Sequence, residues 1–108
     1  MVRFSLEVIK LCEILIKEKA FYSLIDQLIR ASTSIGANVV EAKSSSSKKD
    51  YINFFQIALK SANETKYWLA IVKEAYPAQK AETNKLINEA IEISNILASG
   101  IITMKGKK

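Results

Sequence analysis

Apolar residues recur along nearly the whole chain at spacings of three and four, which is the pattern of amphipathic helices. Four segments show this pattern, at about residues 4–19, 22–42, 48–76 and 78–104. Four consecutive serines at 44–47 precede the third segment, and Pro77 precedes the fourth. Long helices joined by short loops pack as antiparallel neighbours. The sequence therefore predicts a single all-α domain over residues 1–108, an up-down-up-down antiparallel four-helix bundle.

The first and third helices carry apolar residues over more of their circumference than one bundle core needs. In the first helix, Phe4, Val8, Leu11 and Leu15 form the inner face, and Leu6 extends it outward. Exposed apolar surface of that width usually marks association between proteins. The pattern predicts a homo-oligomer, and the alternative is that helical periodicity overstates how far these residues are buried.

The composition excludes catalytic and metal sites that depend on histidine or paired cysteines, because the chain has no histidine and one cysteine, Cys12. A Ser-His-Asp triad, a Cys-His pair, a Cys/His zinc site and a disulfide within the chain are all impossible. Di-iron bundles need Glu-x-x-His motifs, so the carboxylates of Glu89 and Glu92 are interpreted as solvated surface. We predict no catalytic residue, no metal ion and no cofactor, and a protein that is not an enzyme.

The cellular compartment is predicted from the apolar stretches of the chain and from its cysteine. The longest uncharged stretch, residues 93–104, has twelve residues, whereas a membrane-spanning helix needs about 20. Charged residues at 7, 10 and 13 interrupt the apolar run that a secretory signal would need. Cys12 lies among apolar residues and is expected to be a buried thiol, which suits a reducing compartment. The sequence predicts a cytoplasmic protein that does not enter a membrane.

The segment from residue 27 to residue 69 holds polar and aromatic residues at a specific spacing, without gaps. They are Arg30, Asn38, Glu41, Ser47, Ser61, Glu64 and Tyr67. In this pattern the chain resembles the four-helix-bundle protein family encoded in intervening sequences of bacterial 23S ribosomal RNA genes. It departs from the family at Gly36, where the family has proline. Ser45 and Asn53 also stand where basic residues are common in the family.

The resemblance implies a four-helix bundle, often assembled as a ring-like pentamer with a basic surface and without known enzymatic activity. The accessory variability protein of diversity-generating retroelements is similar in fold, and it works as a basic oligomer beside a reverse transcriptase and nucleic acid. For this chain the resemblance implies RNA or DNA as a partner. A protein such as a reverse transcriptase is the alternative.

The net charge of +5, from 16 basic and 11 acidic residues, is concentrated in two short stretches. These stretches contain no acid and carry six lysines: Lys43, Lys48, Lys49, Lys105, Lys107 and Lys108. The other ten basic residues face 11 acidic ones, a net charge of −1. The basicity of the chain is therefore local.

The predicted topology places the second loop, the C-terminal tail at 105–108 and the N-terminus at one end of the bundle. Arg3 and the α-amino group are expected to join the six lysines there. In a ring of parallel subunits these ends would form a cationic rim that contacts phosphates without reading bases. No aromatic residue is interleaved with these lysines, so stacking on single strands is not predicted. The alternatives are that the lysines serve only solubility, or that the bundle is a protein-binding scaffold or adaptor.

Overall fold

A computed structural model describes residues 1–106, and this part of the chain contains four long helices and no strand. The elements are α1 (Val2–Lys17), α2 (Tyr22–Lys43), α3 (Lys48–Ala75), a 3-10 turn (Pro77–Gln79) and α4 (Lys80–Lys105). The prediction of an all-α four-helix protein is confirmed. Lys107 and Lys108 lie outside the described residues.

The antiparallel arrangement follows from contacts between the two turns at one end of the bundle. The Gln79 side-chain amide donates to a carboxylate oxygen of Glu18 at 2.9 Å. The backbone N–H of Phe21 donates to the Tyr76 hydroxyl at 3.3 Å. The α1–α2 and α3–α4 turns therefore share one end. The α2–α3 loop and the C-terminal end of α4 lie at the other, as an up-down-up-down order requires.

The core is formed by the inner face of each helix. In α1 the buried residues are the five with the predicted spacing: Phe4, Val8, Leu11, Cys12 and Leu15. Leu28, Leu69, Leu86 and Leu97 continue the core along the other helices and are almost fully shielded from solvent. Each buried side chain of this size stabilises the fold by about 1.5–3 kcal/mol. The periodicity of the sequence thus located the core.

Helix α1 begins and ends two residues earlier than predicted, at Val2 and Lys17 instead of 4 and 19. Its end is set by Lys19, which adopts the left-handed conformation with φ of 60°. Lys19 N–H donates to Ile16 O, and Ala20 N–H donates to Leu15 O, both at 3.0 Å. This pair of hydrogen bonds is the Schellman arrangement that terminates many helices.

The ends of α3 are set by a cap and by a proline. Ser47 Oγ accepts a hydrogen bond from Asp50 N–H at 3.1 Å, so α3 begins at Lys48 as the capping pattern predicts. It ends at Ala75, one residue earlier than predicted, because the residue before Pro77 avoids the helical region. Pro77 opens the 3-10 turn, and α4 consequently begins at Lys80 and not at 78.

Helix α1 is much shorter than the helices around it, with 16 residues against 28 in α3 and 26 in α4. At 1.5 Å per residue, α1 is about 24 Å long and α3 about 42 Å. Met1 lies beside Gly36, seven residues before α2 ends at Lys43, or about 10 Å along the axis. The last part of the bundle, around the α2–α3 loop, is therefore built from three helices.

Candidate nucleic-acid interface

The structure brings together lysines from the α2–α3 loop region and from the end of α4. Lys48 and Lys49 open α3, and Lys105 lies in the last turn of α4. All three line one groove of about 650 Å³, which we call the basic groove, together with Asp50, Ile52, Asn53 and Gln56. Residues 57 positions apart in the sequence meet there because α3 begins where the antiparallel α4 ends.

Two lysines at the start of α3 are electrostatically unfavourable for the end of the helix at which they lie. A helix N-terminus carries a partial positive charge, so a cation in the first turn costs about 0.3–1 kcal/mol at an exposed site. Lys48 and Lys49 are the first two residues of α3, and Asp50, next to them, is the carboxylate that suits this end. Lys105, in contrast, suits the C-terminal end of α4. Helix stability alone therefore does not account for two cations at the start of α3.

The other residues predicted for the basic end are placed differently. Lys43 lies in the last turn of α2 and lines a separate groove of about 480 Å³ with Met1, Val2 and Val40. Met1 and Val2 share this groove with Lys43, but neither they nor Arg3 line the basic groove, because α1 begins beside Gly36, short of this end of the bundle. The Arg3 guanidinium instead lies 3.4 Å from a carboxylate oxygen of Glu7.

Arg3 belongs to a charged cluster at the contact between α1 and α4. Partial burial, followed by the nearby charge of Glu7, raises the pKa of Glu89 above its usual value. Lys85 and Arg3 oppose this and favour the ionised carboxylate. Among the residues that the structure describes, one carboxylate oxygen of Glu7 is buried and has no hydrogen-bond partner. Arg3, whose side chain is 91% exposed, is therefore one of two cations near this pair of acids.

Several of the family-pattern residues form structural contacts. Ser61 Oγ donates to Ser34 Oγ at 2.8 Å, joining α3 to α2, and the Asn38 amide donates to Ser34 Oγ at 3.0 Å. Arg30 pairs with Asp26 at 2.9 Å on the exposed side of α2. Ser34, Asn38 and Ser61 therefore form a small hydrogen-bonded group between α2 and α3. Glu41 is exposed at the end of α2.

A second groove continues from the basic groove along α3, and we call it the α3 groove. It has a volume of about 570 Å³. Its lining residues are Gln56, Leu59, Lys60, Asn63, Glu64, Tyr67 and Trp68. Gln56 lines both grooves. The sequence pattern did not connect Lys60 and Tyr67 with the lysine cluster, although they follow Gln56 by four and eleven positions, which places both on its side of the helix.

Cys12 is buried, and burial raises the pKa of its thiol to about 11. The thiol is therefore protonated at neutral pH and is a poor nucleophile. Across residues 1–106, no helix combines the length and apolar character needed to cross a membrane. In the same residues, no three acidic or cysteine side chains are grouped in a way that could hold a metal ion.

Comparison with known proteins gives one family and a closely similar solved structure. Residues 1–99 match the profile of the family described as 23S rRNA-intervening sequence protein. The fold is also similar to a crystal structure of a protein with unknown function from the S23 ribosomal protein family of Bacteroides thetaiotaomicron. That protein is 35% identical to this chain, 93% of each chain is covered, and the TM-score is 0.87. No curated protein matches the sequence.

Proposed function

This chain belongs to the 23S rRNA-intervening sequence protein family, and from that premise we propose that it is a non-enzymatic, oligomeric protein that associates with RNA or DNA. The basic groove carries the proposal, because it gathers Lys48, Lys49 and Lys105 from two distant parts of the chain. The buried, unpaired thiol of Cys12 is consistent with a site of action in the cytoplasm.

The contact would be made to the phosphate backbone. Lysine ammonium groups act as point charges toward phosphates and carry no sequence information. Each phosphate neutralised releases condensed counterions, so affinity falls with salt by a logarithmic slope of about 0.7–0.9 per contact. Lys43 and the tail lysines Lys107 and Lys108 extend the same basic end in the sequence. Arg3 is not part of this proposed interface.

The oligomeric part of the proposal rests on exposed apolar side chains. Val2 is 76% exposed on α1, and Val40 is 63% exposed on α2. Both line the same groove, together with Leu6, which is also exposed. A surface of this kind is typical of an association site. We propose that copies of the chain assemble through it, as a ring of five in which the basic ends form one cationic rim.

The experiment is binding of labelled RNA and DNA to the full chain over a range of salt concentrations. The test variant replaces six lysines with glutamine: Lys43, Lys48, Lys49, Lys105, Lys107 and Lys108. The control variant replaces six lysines elsewhere, which gives it the same net charge: Lys10, Lys17, Lys19, Lys73, Lys80 and Lys85. We expect the test variant to lose affinity and most of the salt slope, and the control to retain both. Equal behaviour of the two variants would contradict the proposal.

A second candidate function is a protein-binding scaffold or adaptor, such as an accessory subunit of a reverse transcriptase. The observation that favours it is the same apolar groove between α1 and α2, lined by Met1, Val2, Leu6 and Val40. Apolar contacts survive high salt, whereas phosphate contacts do not. A complex with a purified reverse transcriptase that persists at 1 M salt, together with salt-insensitive or absent RNA binding, would support this candidate over the first.

A further inference from the structure

One exposed face of α3 connects the basic groove to the α3 groove. Its residues follow spacings of four and three, which place them on one side of the helix. They are Lys49, Asn53, Gln56, Lys60, Asn63 and Tyr67, and we call this set the α3 stripe. All six are exposed. Gln56 lines both grooves, so the two grooves form one continuous path along the helix.

The kinds of side chain that line the path change along its length. Three lysines, Lys48, Lys49 and Lys105, lie at its beginning, and Lys60 lies in its middle. Two carboxylates, Asp50 and Glu64, also line it, so the lining side chains retain a positive balance. Between the cations lie the side-chain amides of the stripe, which can both donate and accept hydrogen bonds.

The path ends at an aromatic ring. Tyr67 is 60% exposed, and its ring lies 5.1 Å from that of Trp68 at an angle of 70°. Trp68 is half-buried and packs against the core. An edge-to-face pair of this kind holds the outer ring in place. The exposed ring of Tyr67 therefore offers an apolar face in the α3 groove, at the end of the path that is farthest from the basic groove.

We propose that the α3 stripe binds single-stranded nucleic acid. The lysines at the start of α3 and Lys60, about 17 Å further along the helix, contact phosphates about five nucleotides apart, and an unpaired base stacks on Tyr67. This inference rests on the proposed function and adds to it the strandedness of the ligand and a base contact. A basic groove combined with an aromatic platform is the common design of proteins that bind single strands without reading sequence. In a duplex the base faces are covered by neighbouring base pairs, so Tyr67 has no partner there.

The dimensions of the path set the length of the ligand. Lys49 and Tyr67 are 18 residues apart on one helix, which corresponds to about 27 Å. A stacked strand rises 3.4 Å per nucleotide, so the path accommodates about eight nucleotides. A more extended strand would cover the same length with fewer nucleotides. A 12-nucleotide oligomer is therefore long enough to occupy the whole path.

The structure explains why the sequence did not predict stacking of a base on an aromatic residue. The lysines of the basic end have no aromatic neighbour in the sequence, and Tyr67 follows Lys49 by 18 positions. The helix brings both onto one face, and the antiparallel α4 adds Lys105 to the same groove. The expectation that stacking plays no part came from sequence neighbours, whereas the relevant neighbours lie along the helix.

The test compares a 12-nucleotide oligo-uridine with an RNA duplex of 12 base pairs, using anisotropy of a terminal dye and the full-length chain. Trp68 is the single tryptophan, and its emission reports occupancy next to Tyr67. We expect the single strand to bind more tightly and to change the Trp68 emission. Loss of one stacked base costs about 1–3 kcal/mol by alanine substitution. Tyr67→Ala should therefore weaken single-strand binding by about fivefold to 150-fold and leave duplex binding unchanged.

Two further variants separate stacking from folding. Tyr67→Phe keeps the ring and should retain the affinity of the original chain. Tyr22→Ala removes another tyrosine, 79% exposed on α2 and outside both grooves, and should have no effect. Equal affinity of Tyr67→Ala and Tyr22→Ala for the single strand, or equal binding of single strand and duplex, would overturn the inference.

The outcomes also separate this inference from the proposed function. If the six-lysine variant loses binding while Tyr67→Ala keeps it, the basic end binds nucleic acid and the stacking site is wrong. If neither RNA nor DNA binds with a salt dependence, the proposed function is wrong and the α3 stripe has no ligand of this class.

Discussion

At the scale of single residues, Lys19 shows most directly how backbone conformation limits stability. It ends α1 with φ of 60°, a conformation that costs a residue with a side chain about 1–2 kcal/mol and costs glycine little. Lys19→Gly should therefore raise the free energy of unfolding by about 0.5–1 kcal/mol, after the greater freedom of glycine in the unfolded chain is deducted.

Urea denaturation followed by circular dichroism measures this change. Glu18→Gly is the matched control, because Glu18 has φ of −84° and gains nothing from glycine. We expect the control to be neutral or less stable than the original chain. Glu18→Gly also removes the acceptor of the Gln79 hydrogen bond, so the deciding comparison is with the original chain. A Lys19→Gly variant that is no more stable than the original chain would contradict the explanation of the α1 end.

Glu89 is the residue at which stability should depend on pH. Partial burial and the charge of Glu7 raise its pKa, so the folded state binds a proton at Glu89 more readily than the unfolded state. Stability from this group is present at low pH and is lost as pH rises through the raised pKa. Because solvent screens this partly exposed carboxylate, Glu89→Gln, which is neutral at every pH, should be more stable at pH 7 by less than about 0.5 kcal/mol.

The difference between Glu89→Gln and the original chain should shrink as pH falls toward about 4, near the ordinary pKa of a glutamate. Thermal or urea unfolding between pH 4 and pH 8 measures it. Glu92→Gln, on an exposed position of the same helix, is the control. A stabilisation by Glu89→Gln that is the same at all pH values would show that charge at this position is not its cause.

At the scale of the helices, periodicity and capping account for what the sequence predicted well. The inner face of α1 was predicted residue by residue, and the Ser47 cap fixed the start of α3. The ends of α1 were less accurate, because a left-handed lysine has no sequence signal comparable to glycine. The three residues after Tyr76 form a 3-10 turn, which the helical pattern of the fourth segment does not distinguish from an α-helix.

The sequence predicted the candidate site only in part, because part of the site depends on how the helices pack against each other. The clustering of Lys48, Lys49 and Lys105 follows from topology, which the sequence supported. The continuation of that groove to Lys60 and Tyr67 depends on which side of α3 remains uncovered by α2 and α4. The packing of α2 and α4 determines which side of α3 stays exposed, and a helical wheel of α3 alone does not give this information.

At the scale of the whole molecule, the short length of α1 determines how far Arg3 lies from the basic end of the bundle. Topology alone predicts that the N-terminus joins the basic end. The axial lengths show that Met1, the residue before α1, lies beside Gly36, about 10 Å along the α2 axis from Lys43. The basic end is therefore a three-helix end whose charges come from α2, α3 and α4. The same shortness leaves the first residues of α1 beside an exposed part of α2.

This exposed part of α1 and α2 leads to a prediction about assembly. On α3, by contrast, Ile57 and Tyr67 are the large hydrophobic side chains that remain exposed, so most of its broad apolar sector is covered within the subunit. On α4, Ile96 and Ile102 are 66% and 72% exposed. Val2 and Val40 are exposed to a similar degree and also line one groove, so we propose that the association surface lies on α1 and α2. Placing charge at Val2 and Val40 together should dissociate the oligomer, because two buried carboxylates without partners are costly at an interface.

Light scattering of the Val2→Glu, Val40→Glu double variant measures the subunit count, and we expect a monomer. The fold should survive, since the exposed fractions of these side chains in one subunit are 76% and 63%. The matched control is Ser23→Glu, which adds a carboxylate to an exposed position at the opposite end of α2. A folded double variant with an unchanged subunit count would exclude this surface. A monomer at all concentrations of the original chain would exclude the oligomer itself, and the cationic rim with it.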